Sequence, residues 1–143
     1  MSYWWLLTGR LVEGAAALSR ALEATVGQRS ALRCGALFWR GYLAFFAADY
    51  ELAQQAATEA LALARELGDR ANEARILNLL GLLETGPDPR GSLPTFERSC
   101  ELAQVVGDDW CLSDATQNMG WALVMAGERD AARAKLELSL IHI

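Results

Sequence analysis

The chain has 143 residues, 52% of them hydrophobic, with 18 acidic and 13 basic residues and a net charge of −5. That length suits one domain of ordinary size, and 1–143 reads as a single one. The acidic balance speaks against a surface in this segment that grips a phosphate backbone, which needs a basic face. No apolar run approaches the ~20 residues of a membrane-spanning helix, and the most tempting one, Gly41–Ala48, is bracketed by Arg40 and Asp49.

The N-terminus, Met1–Thr8, is apolar and aromatic. It has no basic n-region and no small-residue cleavage site, so it does not read as a signal peptide. A first helix is predicted over 1–8. Six more follow over 11–25, 30–47, 50–67, 70–85, 89–106 and 109–126, and an eighth runs from 128 to the end. The pattern is clearest in the fourth segment. There Ala53, Ala56, Ala57, Ala60, Leu61, Ala64 and Leu67 recur at spacings of three and four and form one apolar stripe.

The joints between segments are equally local. Gly68 and Gly107 stand where a left-handed residue ends a helix. Asp69 follows the first, and Asp108 and Asp109 follow the second, placed to cap the next helix and to meet its positive end. That cap reading displaces the idea of Asp108–Asp109 as an acid–base pair. The one irregular link is Gly86–Gly91, with two prolines. Either Asp88 caps a helix with Pro89 at its first position and a bend at Pro94, or the helix starts near Ser92.

Several chemistries have no foothold. The only histidine is His142, which leaves no Cys/His zinc cluster and no Ser-His-Asp or Cys-His arrangement in a core. No P-loop or dinucleotide-binding glycine motif is present. The three cysteines, Cys34, Cys100 and Cys111, show no CxxC spacing and read as reduced, buried residues of a cytosolic protein. No metal, cofactor or enzymatic activity is expected. An all-α enzyme would need a pocket of paired carboxylates, and no such constellation is visible.

The strongest signal is repetition. Gly41, Gly81 and Gly120 stand 40 and 39 residues apart, and Gly68 and Gly107 stand 39 apart. A fixed period of this length marks stacked helical pairs, each unable to bury its apolar face alone. The repeats resemble tetratricopeptide repeats of the longer kind. The resemblance rests on the first-helix glycines and on the small residue where the second helix crosses them (Ala53, Ala132), with Pro94 as the departure in the middle repeat. Together with Leu63–Asp69 and the aromatic-rich Tyr3–Gly14, this resembles the repeat region of LuxR-type or AfsR-like transcriptional regulators and bacterial signal-transduction ATPases. The resemblance implies an all-α, right-handed superhelix of antiparallel helix pairs, about 3.5–4 repeats of ~40 residues. It also implies a cytoplasmic module that binds a protein, a peptide or a small effector in its concave groove. A plain protein–protein scaffold without a regulatory parent is the alternative.

In such a solenoid the first helices line the groove. Positions three before, one after and four after each glycine give Phe38, Tyr42 and Phe45, then Asn78, Leu82 and Thr85, then Gln117, Trp121 and Val124. Arg75 and Asp114 fall at the rim, and the same register adds Tyr3 and Leu6. The aromatics could equally be core, although Tyr42 and Trp121 carry polar handles that suit a wet edge. Asn78 and Gln117 are expected to be exposed, because a buried amide without partners costs ~1–3 kcal/mol.

The ends lack polar capping repeats. Trp4 and Trp5 at one end, and Leu136, Leu138, Leu140 and Ile141 at the other, suggest a fragment of a longer protein that self-associates through its exposed ends. The tail Ser139–Ile143 departs from the repeat pattern and is suspected of being non-native.

Overall fold

A computed structural model describes residues 10–141; the helix expected over 1–8, with Tyr3, Trp4, Trp5 and Leu6, lies outside them, as does His142. The described residues form seven α-helices and no strand: α1 (Leu11–Ala24), α2 (Ala31–Phe46), α3 (Tyr50–Leu67), α4 (Arg70–Thr85), α5 (Leu93–Val106), α6 (Asp109–Met125) and α7 (Arg129–Ile141). The chain divides into two compact units, 1–72 and 73–143, with the boundary just inside α4.

Helix ends follow the local chemistry read from the sequence. Gly68 and Gly107 take φ of 64° and 71° and close α3 and α5. Asp69 and Asp108 then cap the next helices, accepting from the N–H groups of Asn72 and Cys111, both at 3.0 Å. Ser30 and Asp49 do the same for α2 and α3. At the joint between α2 and α3 the left-handed residue is Ala48, with φ 61°.

In the first unit α2 and α3 form an antiparallel pair. Cys34, near the start of α2, lies 3.4 Å from the Ala60 carbonyl near the end of α3, while Phe45 near the end of α2 meets Tyr50 at the start of α3. The alanines Ala53, Ala56, Ala57, Ala60 and Ala64 are buried, and their small side chains let the two backbones approach. Arg33 donates to the Leu22 and Thr25 carbonyls at the end of α1, where a cation suits the helix dipole.

In the second unit α4 pairs with α5, and α6 with α7. Ser99 donates to the Ala74 carbonyl at 2.7 Å, and Ser113 and Ser139 exchange hydrogen bonds at 3.0–3.3 Å. These contacts are repeats of one another. Cys34, Ala74 and Ser113 stand 40 and 39 residues apart, and their partners Ala60, Ser99 and Ser139 stand 39 and 40 apart. The glycines obey the same register. A Cβ on Gly81 would meet the Phe96 ring at 2.5 Å, and one on Gly120 would meet Leu136 at 2.8 Å.

The middle pair corrects one expectation. Pro94 does not occupy the crossing position. The residue equivalent to Ala53 and Ala132 is Ser92, fully buried like them, and its hydroxyl bonds the Pro89 carbonyl and the Thr85 hydroxyl. Of the two helix starts left open by the sequence, residue 89 and near Ser92, the structure takes the later: α5 begins at Leu93, with Pro94 in its first turn, where a missing N–H does no harm. Asp88 instead closes the preceding turn by accepting from the Gly91 N–H at 2.9 Å.

Candidate functional site

The α4 and α6 helices of the second unit bring together most of the polar residues singled out from the sequence. Three amide and carboxylate side chains form a relay: Asn118 Nδ2 donates to Asn78 Oδ1 at 3.0 Å, and Asn78 Nδ2 donates to Asp114 Oδ2 at 2.6 Å. Nearer the N-terminal ends, Arg75 Nε and Nη2 both reach Asp108 Oδ2, at 3.0 and 2.8 Å. Arg75 precedes Asn78 as Asp108 precedes Asp114, so the two helices run side by side in the same direction.

Here the structure overturns the expected exposure of Asn78. The residue is only 4% exposed. The expectation assumed that a buried amide would lack partners, but Asp114 and Asn118 supply one for its N–H and one for its carbonyl. Gln117, taken as the counterpart of Asn78, is exposed and turned elsewhere. It lines an open cavity of about 530 Å³ against α7, with Val124, Ala132, Leu136 and Leu140. The residue that meets Asn78 is Asn118, 40 positions on, the repeat period itself. That spacing was the available signal. Leu82 packs against the core of Phe96, Met119 and Ala122. Trp121 projects into solvent, 56% exposed.

The two aspartates of this face have opposite electrostatics. At Asp108, burial pushes the carboxyl up, but the Cys111 N–H and the hydrogen bond and charge of Arg75 outweigh it and hold the group below the usual carboxylate range. At Asp114, burial raises the carboxyl and the Asn78 amide offsets only part of that. Asp114 has no ion-pair partner among the described residues.

In the first unit the expected groove aromatics are largely core. Phe38 and Tyr42 are buried and Phe45 is half-buried. Tyr42 was expected at a wet edge, yet it is 8% exposed. Its ring sits 5.0–5.6 Å from those of Phe38, Trp39 and Phe46, so its neighbours along α2 cover its apolar body. A separate cavity of about 320 Å³ lies among α1, α2 and the start of α3, with Val12, Leu18, Arg40 and Leu43 in its wall.

The thiols are poor nucleophiles. Burial drives Cys34 up to about 11, with the Asp69 charge adding to it, and Cys111 up to about 12; the thiolate is the reactive form. Among the described residues no three His, Cys, Asp or Glu side chains converge on a metal-sized site, and no helix is long and apolar enough to cross a membrane.

No protein-family model matches the chain. It is similar over 81 residues, at 33% identity, to proteins named "Putative HTH-type transcriptional regulator" in Mycobacterium bovis and in two strains of Mycobacterium tuberculosis. The matched stretch covers 57% of this chain and 9% of each of those proteins, so the chain spans a small part of the relatives' length.

Proposed function

We propose that this chain is a tetratricopeptide-type superhelical module serving as the sensing part of a cytoplasmic helix-turn-helix transcriptional regulator, and that it works by binding rather than by catalysis. The single observation behind the regulatory reading is the 81-residue similarity to proteins carrying that name. The repeat reading is supported by contacts that recur every 39–40 residues in three successive helix pairs. Repeats so built stack into extended binding surfaces. The α4–α6 face suits that role, since its amides are fixed by one another and an exposed indole stands at its edge to anchor a partner.

The test runs on the whole gene. Its reading frame should encode a helix-turn-helix segment beyond these 143 codons; a frame without one removes the regulatory reading. In the full-length protein, Trp121→Ala should change output from the target promoter while leaving affinity for the promoter DNA intact. Unchanged output would count against a sensing role for this face.

A further inference from the structure

Asp114 is the odd charge of the second unit. It is a half-buried carboxylate whose only hydrogen bond among the described residues comes from a neutral amide. Arg75, the cation on the same face, is already engaged twice by Asp108. The relay also points one way: Asn118 donates to Asn78, and Asn78 donates to Asp114. Asn78, itself held by Asn118, thus fixes the carboxylate in one orientation and occupies Oδ2. Oδ1 has no hydrogen-bond partner among the described residues and is not fully buried. Taking charge out of water without a counter-ion is unfavourable, and such a group is a place where an opposite charge gains most.

The wider field agrees. Residues 1–72 carry seven acidic and seven basic side chains, whereas 73–143 carry eleven and six. The whole net charge of −5 therefore resides in the unit that holds Asp114, which favours approach by cations. Two turns along α6 stands the exposed Trp121. Seven helical residues span ~10 Å, about the reach of three residues of extended chain.

We propose that Asp114 anchors a basic side chain of the bound partner segment, its guanidinium or ammonium on Oδ1, while an apolar side chain three residues along that segment rests on Trp121. This deepens the reading of the α4–α6 face as the binding surface and rests on it. The ligand class is an extended peptide carrying a basic and an apolar residue at that spacing.

The probes are the blocked tetrapeptides Arg-Ala-Ala-Leu and Leu-Ala-Ala-Arg, their lysine versions, and versions with citrulline, which keeps the shape of arginine without its charge. Binding is followed by nuclear magnetic resonance at the Asn78 side-chain amide and the Trp121 indole. One direction of the arginine or lysine peptide should saturate, and citrulline should weaken it roughly tenfold or more, as expected for loss of a charge-assisted hydrogen bond. Asp114→Asn should weaken the charged peptide by a similar factor; its amide oxygen still accepts from Asn78, so the fold is kept, as circular dichroism can verify. Equal affinity for citrulline, equal affinity in Asp114→Asn, or no saturation at millimolar peptide overturns the proposal. Peptide binding through Asp114 in a protein whose promoter output ignores Trp121→Ala would retain this site and reject only the sensing role proposed for this face.

Discussion

Gly81→Ala sets two known effects against each other, and the geometry decides the winner. A Cβ at this position would stand 2.5, 2.7 and 2.8 Å from Cε1, Cδ1 and Cζ of Phe96, well inside the ~3.5–4.0 Å of favourable carbon contact. The ring has nowhere to go: Phe96 is fully buried and clusters with Met119 and Ala122. Alanine in a helix interior gains ~0.5–1 kcal/mol over glycine. Overpacking a filled core costs ~1–3 kcal/mol. The balance is a net loss of about 1 kcal/mol, equivalent to a melting shift of several degrees. Phe96→Leu removes the ring edge, so adding Gly81→Ala in that background should turn the loss into a gain. Gly35, mid-helix in α2, is the control. A Cβ there meets nothing within 4 Å, so Gly35→Ala should show the helix gain of ~0.5–1 kcal/mol alone. Urea unfolding followed by circular dichroism measures the four variants against the wild type. A Gly81→Ala protein as stable as the wild type, or more so, would refute the contact and the repeat register built on it.

The two aspartates of α6 should respond to pH in opposite senses. The Asp108 carboxyl is held low, so its stabilisation is present above the unfolded-state pKa and fades as pH falls through the folded one; Asp108→Ala should lose roughly 1 kcal/mol of cap at neutral pH and progressively less in acid. The Asp114 carboxyl is held high, so its stabilisation is present below the unfolded-state pKa and lost as pH rises through the folded one; Asp114→Asn should therefore be the more stable protein at neutral pH, with the difference vanishing in acid. Parallel urea titrations across pH check both, and a destabilised Asp114→Asn at neutral pH would contradict the uncompensated-charge argument. Ala48 sits at φ 61° on the surface, a conformation costing ~1–2 kcal/mol for a residue with a Cβ. Ala48→Gly should therefore raise stability by about 0.5–1 kcal/mol after the entropy of glycine is subtracted, read as a higher urea midpoint. Leu140 and Ile141 on α7 are 70% and 75% exposed, and such patches promote association. Sedimentation should show mass rising with concentration, and Leu140→Glu should suppress the rise; a strict monomer at all concentrations would remove the idea.

Much of the architecture was written locally. Gly68-Asp69 and Gly107-Asp108 mark a stop and a start because a left-handed residue and a side-chain cap act within three or four residues. The boundaries of α3 and α4 follow from that, and the apolar stripe of α3 specifies its buried face. The 39–40-residue period foretold helix pairs, and contacts at that spacing recur in α2–α3, α4–α5 and α6–α7. What the sequence left undecided was the partner of each side chain across helices. Phe96 faces Gly81 where Pro94 was expected nearby, because the seven residues 86–92 delay α5. Asn118 meets Asn78, although Gln117 was the residue expected at the place matching Asn78. Tyr42 is covered by rings of its own helix. One residue of register turns a helical side chain by about 100°. A period known only to within one residue therefore places helices correctly while leaving their contacts open, and only the packed structure resolves which amide a half-buried carboxylate meets and which is turned to solvent.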